Sequence, residues 1–400
     1  MSLLDVCIII IVFIIGYNLK HAGFSFDRRD KKFLNRLFFY HFVVAVVFSF
    51  MVAQGGGDAI VYWDFPKNND LNAVMNVIER GSASGTIYLL NYFFSNVLDL
   101  SFLTGNIIYA LVGYLGFIYF YKITKSLFPD FSVFENFKLF GVPLFPWIWF
   151  LPNLHFWSSG IGKDTLLFLC IALFTYSLLN LKKRFIGLLI AVVLSLTIRP
   201  HITMFLIIAF GLAYTMDGRL KGYQKLFIGA IFIASFASIF NYVMDFVQLE
   251  SLETTTIENY TAKKAANLNQ ADSSTGLDIS GYPYPLKVFT FLYRPLFFDI
   301  NSVLAILASI ENLILLLFTF LIFRNHPWRS FRKGNYLIKG SILFFLMGAL
   351  SFSLILGNLG IMLRQKNMFY PLFLIFGFWA YYYTTTTQLN TNYADSTSNQ

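Results

Sequence analysis

Few residues in this 400-residue chain have the chemistry to build a site, and they fall in five places. Asp58 follows Gly55, Gly56 and Gly57, and Tyr62, Trp63 and Asp64 come a turn or two later. The glycines permit close backbone approach. A carboxylate beside aromatic rings is a common grip for a sugar, because the acid takes hydroxyl protons and the ring stacks on C–H faces. Lys163 and Asp164 close the run WSSGIGKD, and Arg199, Pro200 and His201 divide two apolar runs. Arg294 precedes Pro295, and Arg364 and Lys366 sit in a short polar hop. The planar fork of arginine donates two parallel hydrogen bonds to phosphate. Several arginines beside apolar segments therefore suit an amphiphile with a phosphorylated head and an apolar tail. The plainer alternative makes each cation an anchor snorkelling to lipid headgroups, and makes Asp58 a solvated carboxylate at a glycine-rich helix exit.

Other chemistries find no support. Gly162 and Lys163 are suggestive of a phosphate-binding loop, but Asp164 replaces the required Ser/Thr and Trp157 stands where the first glycine belongs. The five histidines show no metal-ligand spacing, so no metal and no cofactor is expected. No nucleophile elbow supports a serine triad. Cys7 and Cys170 both lie in apolar runs and read as buried small hydrophobes.

The elements that must position these residues are membrane spans. The chain is 57% hydrophobic and 13% charged, with a mean hydropathy of +0.62; soluble domains carry about 25% charged residues. Residues 300–323 contain one ionisable side chain, Glu311, and 226–241 contain none, whereas about 20 apolar residues suffice to cross the hydrocarbon. The fold class predicted is all-α: a polytopic bundle of about eleven transmembrane helices near 4–19, 37–53, 105–121, 139–152, 165–180, 185–198, 202–216, 226–247, 298–322, 341–357 and 368–383. It forms one membrane domain over 1–383, followed by a polar, disordered cytoplasmic tail over 384–400. Of 30 lysines and arginines, 20 then fall in alternate loops, which the positive-inside rule assigns to the cytoplasm. The N-terminus is expected outside and the C-terminus inside, with long outer loops over 54–105 and 248–297. Residues 86–98 form an apolar stretch too short to span and suited to lying along the membrane surface.

Geometry sharpens the interest of the outer charges. Residues 185–198 would span only about 21 Å as a helix, and 165–180 about 24 Å. Lys163, Asp164, Arg199 and His201 would then lie at membrane depth, where charge survives only inside protein or a wet cavity.

Five segments together resemble the multi-spanning proteins of bacterial capsule and exopolysaccharide clusters, a group similar to O-antigen-type polysaccharide polymerases. They are Gly57 and Asp58 with Tyr62; WSSGIGKD at 157–164; Arg199 to His201 (RPH); PYPLKVFTFLYRP at 283–295 with Glu311 and Asn312; and NLGIMLRQKNMFYP at 358–371. The early outer-loop Asp before a surface helix also resembles the GT-C superfamily of membrane glycosyltransferases, whose donors are polyprenyl-phosphate sugars. That resemblance implies Asp58 as catalytic acid/base. It departs in having one Asp where the superfamily has an acidic pair, unless Asp64 is the second, and in an extra N-terminal span. The polymerase resemblance implies that Arg199, Arg294 and Arg364 contact lipid-linked (pyro)phosphate.

The function expected is glycosyl transfer on polyprenyl-(pyro)phosphate-linked saccharides at the outer face of a bacterial cytoplasmic membrane, in surface polysaccharide synthesis. Asp58 would be catalytic. Tyr62, Trp63, Asp64, Lys163, Asp164, Arg199, His201, Arg294, Arg364 and Lys366 would bind substrate. The partners implied are the lipid-linked saccharide, the bilayer and other polysaccharide-assembly proteins, not nucleic acid. Two alternatives are a transporter or flippase for a phosphorylated amphiphile or anion, and a non-catalytic assembly subunit.

Overall fold

The computed structural model describes residues 1–217, 221–247, 276–279 and 281–398. It is helical almost throughout, an all-α chain with membrane character. Among the described residues, five helices are long and apolar enough to cross a membrane: Leu3–His21, Arg28–Gly55, Phe102–Leu127, Val303–Arg324 and Tyr336–Ile355. The described residues form two compact units, one of Met1–Ile123 with Phe150–Thr203, the other of Thr124–Trp149 with Met204–Gln400.

In the first unit, helix α1 (Leu3–Asn18) starts at a capping box in which Ser2 and Asp5 satisfy each other's backbone amides. The second Asp5 oxygen accepts from Ser101 N at 2.8 Å and Thr104 Oγ1 at 2.6 Å, tying α1 to the segment that opens α6. Helix α2 (Arg28–Gly55) starts at a second box built by Asp27 and Asp30. The predicted loop over 54–105 is mostly helical: α3 (Asp58–Asn68), α4 (Leu71–Glu79), and α5 (Gly85–Tyr92) continued by one wider turn over Phe93–Val97. Leu89, Leu90, Phe93 and Val97 on that last stretch are exposed. Then come α6 (Phe102–Leu127), the short α7 (Pro152–Phe156), and the hairpin of α8 (Lys163–Leu178) and α9 (Leu181–Ile198).

Residues 150–162 are the departure from simple helix packing. Phe150 lies 5.7 Å from Phe33, His155 5.0 Å from His41, and Phe156 5.0 Å from Phe48. The segment therefore climbs α2 over 15 residues, roughly 22 Å at helical rise. It meets α6 in the reverse order: His155 stacks on Phe117 at 4.2 Å, the Ser158 carbonyl abuts Gly113, and Ile161 N donates to Asn106 Oδ1 at 2.8 Å. Beyond α7 this backbone is irregular yet buried from Ser158 to Gly162. It is tolerable because neighbouring groups satisfy it. Thr165 Oγ1 donates to the Gly160 carbonyl at 2.6 Å, for example.

The second unit corrects the predicted span over 139–152. Its first part is a two-stranded hairpin, β1 (Lys138–Leu139) and β2 (Val142–Pro143), followed by a short 3₁₀ turn over Trp147–Phe150. Gly141, at φ 79°, makes the turn. Pro143 and Pro146 lack the amide a continuing helix needs. The strip's apolar residues pack as an aromatic cluster, with Phe145 5.1 Å from Phe378 and Phe137 4.2 Å from Tyr381. Helices α10 (Pro200–Thr215), which begins in the first unit, and α11 (Gly222–Val247) follow. The polar residues 248–275 of the second long loop lie outside the described residues. Then come α12 (Tyr284–Tyr293), α13 (Val303–Arg324), α14 (Pro327–Lys333), α15 (Tyr336–Ile355), α16 (Leu359–Lys366) and α17 (Tyr370–Ser398). The tail expected to be disordered continues α17 to Ser398, since no Gly or Pro after Gly377 interrupts it. Helices thus cover ten of the eleven predicted stretches, and five of those helices are long and apolar enough to cross a membrane. Cys170 is buried as expected, whereas Cys7 is exposed on the apolar outside of α1.

Candidate functional site

Gly56 and Gly57 have φ 76° and 139°, open values that favour glycine, and they turn the chain out of α2 straight into α3. Asp58 is the first residue of α3, exposed, at the end where the helix dipole favours a carboxylate. Tyr62 follows one turn later on the same face. Asp64 is exposed but on a different face from Asp58 and Tyr62. Trp63, expected to stack on a sugar, is 1% exposed. Its ring fills the notch left by Gly105, where a Cβ would come within 2.5 Å of it. Trp63 is therefore a packing residue, and Tyr62 is the aromatic that faces the charges.

Helix α5 holds α3 in place. Asn91 Nδ2 donates to the Tyr62 carbonyl at 2.8 Å and receives Tyr109 Oη on its own oxygen. Asn96 Nδ2 caps the end of α3 through the carbonyls of Pro66, Lys67 and Asn69. Phe65 stacks on Tyr88 at 4.4 Å. This clamp brings Ser84 and Tyr88 to the site, two residues sequence reasoning missed; their i, i+4 spacing in an ordinary apolar stretch carries no signal. Burial, with the Asp58 charge behind it, pushes the Tyr88 hydroxyl above its usual range, against a hydrogen bond with Ser84. Lys163, the first residue of α8, donates to Ser84 Oγ at 3.3 Å, and its ammonium stands 5.5 Å from the Tyr62 ring centroid. Asp58, Tyr62, Ser84, Tyr88 and Lys163 thus form one cluster of acid, hydroxyls and cation.

Behind it, Asp164 is buried and pairs with Arg199 at 3.1 Å, the two side chains 6% and 11% exposed. The pair fixes the start of α8 against the end of α9. Ser195 and Thr203 bridge α9 and α10 across the Arg199 corner at 2.8 Å. His201 is half-buried in the first turn of α10. Arg199 is thus committed to an internal carboxylate, which lowers its claim to be a free phosphate fork.

The second unit gathers the remaining candidates. The Arg294 fork closes on Asp299, with Nε to Oδ2 at 3.0 Å and Nη2 to Oδ1 at 2.5 Å, while Nη1 reaches Tyr282 Oη at 3.5 Å. That bond to Asp299 first of all holds Arg294 charged. Sequence reasoning did not find Asp299, because a carboxylate five residues on has no characteristic spacing to an arginine. Lys366, expected on the substrate, is 1% exposed and spends its three donors inside the protein: on Asn312 Oδ1 at 2.6 Å and on the carbonyls of Leu292 and Arg294 at 3.2 Å. Asn312 in turn donates to the Pro295 carbonyl at 2.7 Å. Lys366 is thus a brace for the turn at Arg294. Burial pushes its ammonium down to about 7, with buried Glu311 opposing the shift. Arg364, half-buried two residues earlier, falls on a different face of α16.

Two of the scattered histidines also meet, His41 Nδ1 lying 2.9 Å from His155 Nδ1 in the interior of the first unit. No group of three or more His, Cys, Asp or Glu able to hold a metal occurs among the described residues. Comparison with protein-family models, with curated proteins and with solved structures finds no match.

Proposed function

We propose that the chain is a membrane glycosyltransferase of the polysaccharide-polymerase type, acting at the outer face of a bacterial cytoplasmic membrane on polyprenyl-(pyro)phosphate-linked saccharides. The observation that carries this reading is the cluster on α3, α5 and the start of α8: an exposed carboxylate, Asp58, with Tyr88, Ser84, Tyr62 and the Lys163 ammonium around it. Acceptor hydroxyl oxygen attacks the anomeric carbon, and the bond from that carbon to the prenyl (pyro)phosphate oxygen breaks. Asp58 takes the hydroxyl proton. The electron pair leaves with the phosphate, whose charge Lys163 meets. Arg199 acts through Asp164 to hold α8, and so Lys163, in position. Arg364 remains a candidate for the lipid-linked phosphate.

The test is saccharide chain length on gels from cells expressing Asp58→Asn or Lys163→Gln at matched membrane levels. Asp58→Asn should lower the rate by about 10²–10⁴ and leave single or short units. Wild-type chains from Asp58→Asn would remove this residue from the mechanism and the reading with it.

One observation favours a transporter instead. The buried irregular chain over 158–162 is the kind of broken backbone that lines cavities in transporters. In that case the same variants would accumulate lipid-linked substrate on the inner leaflet. An assembly subunit would change in stability without altering the product.

A further inference from the structure

The second unit contains an open surface pocket of about 430 Å³ lined by Arg329, Arg332, Lys333 and Tyr383. The first three occupy positions i, i+3 and i+4 of α14, so one face of this short helix carries three positive charges. Like charges at that spacing repel, and no carboxylate among the described residues pairs with any of them. Arg332 and Lys333 do favour the negative end of the helix dipole, but that role needs neither Arg329 nor a pocket. The volume falls in the range of ligand pockets.

The walls are fixed from both sides. Trp379 Nε1 donates to the Ser330 carbonyl at 2.8 Å, and Thr384 Oγ1 donates to that of Asn325 at 3.0 Å. Tyr383, one turn beyond Trp379 on α17, stacks against its indole at 5.7 Å. Ser330 is fully buried beneath the cationic face.

The setting points to the source of the anion. Helix α14 is the short link between Val303–Arg324 and Tyr336–Ile355, two of the five helices able to cross a membrane. Whichever way these insert, the link between them lies at a membrane–water boundary. Trp328 is 70% exposed and stacks on Phe331 at 5.8 Å, the placement of an interfacial aromatic. Basic pockets at helix ends on that boundary hold anionic lipid headgroups. We propose that Arg329, Arg332, Lys333 and Tyr383 form a binding site for the phosphate headgroup of an anionic phospholipid, separate from the Asp58 cluster and independent of the reaction proposed for it.

The experiment uses the full chain, delipidated in neutral detergent and titrated with phosphatidylglycerol or phosphatidylcholine, with bound lipid counted by native mass spectrometry. Phosphatidylglycerol should bind and phosphatidylcholine should not. Arg329→Gln/Arg332→Gln/Lys333→Gln should weaken the anionic lipid about fivefold per cation, so about a hundredfold together. All three side chains are exposed, so the variant should keep its helical circular dichroism. The control, Lys182→Gln/Lys183→Gln, removes exposed cations from the start of α9 and should change little. Equal binding of the two lipids, or equal losses in the control and the triple variant, would reduce the pocket to general surface charge. Displacement of phosphatidylglycerol by inorganic phosphate alone would reassign it to a soluble anion and overturn the lipid proposal.

Discussion

Gly113 offers a sharp test of how the first unit is built. A Cβ added there would lie 1.7 Å from the Ser158 carbonyl oxygen and 3.0 Å from His41 Nε2. The first neighbour is backbone, in a segment pinned by Ile161 N on Asn106 and by Thr165 on Gly160, so it cannot rotate away as a side chain would. Relief requires 150–162 to move by more than 1 Å, roughly a van der Waals contact minus the 1.7 Å separation. Overpacking a close contact costs about 1–3 kcal/mol, and more when backbone must shift. We expect Gly113→Ala to cost about 3 kcal/mol or more, against a helix-propensity gain of up to about 1 kcal/mol. At about 2–4 °C per kcal/mol for a unit of this size, the net loss should lower the thermal midpoint by about 4 °C or more. The assay is fluorescence-detected size exclusion of heated, detergent-solubilised protein. Gly229→Ala is the control, since its nearest neighbour is a Thr215 methyl at 3.6 Å; it should be neutral or slightly stabilising. A Gly113→Ala protein as stable as the parent would refute the close passage of Ser158 beside α6.

Other outcomes follow from the charged pairs. Asp299→Asn, which leaves the half-buried Arg294 without its carboxylate, should cost about 1–3 kcal/mol in chemical unfolding, and Asp299→Glu should recover part of it. Lys366 is depressed from 10.5 to about 7 in the folded protein, so the unfolded chain binds more protons between those values. Stability should then rise from pH 7 toward pH 10 and stay flat below 7; the slope should vanish in Lys366→Met, and a flat parent profile would contradict the burial of the ammonium. Arg364→Lys should impair chain length if the fork grips phosphate and do little if the residue is a lipid anchor. The same swap at Arg199 or Arg294 also breaks an internal pair and so discriminates less well. In a cysteine-free background, Ser82→Cys should react with an impermeant reagent in intact cells and Lys333→Cys should not, both positions being exposed; the reverse pattern would invert the proposed orientation.

Much of the helix layout was legible because apolar length alone dictates it. The helices over 3–18, 28–55, 303–324 and 336–355 lie where runs of apolar residues demand them. Asp58 and Tyr62 were legible as a carboxylate with an aromatic ring close by in the chain; that both lie on one face is added by helix α3. The misreading over 139–152 has a plain cause. Hydropathy counts Phe, Leu and Trp without weighing Gly141, Pro143 and Pro146, which stop the helix. The burial of Trp63 was not legible because the notch it fills is the missing side chain of Gly105, some forty residues away. Lys366 looked like a surface cation in a polar hop, and nothing local announces that Asn312 and two carbonyls of α12 and its exit converge on it. Buried polar braces of this kind are products of tertiary geometry, and a linear pattern does not record them.

The buried strip over 150–162 also fixes an order of manufacture. A hydrophobic helix satisfies its own amides and can leave the insertion machinery alone, whereas this strip takes Asn106 as an acceptor and needs the hollow at Gly113. Both helices that flank it, α2 and α6, lie earlier in the chain. During synthesis the cradle is therefore translated before its occupant, and the strip can settle into a preformed groove as soon as it emerges. A circular permutant that moved α6 behind α8 would keep every native contact but release the strip before its cradle, exposing unsatisfied amides to the chaperones and proteases that patrol the membrane.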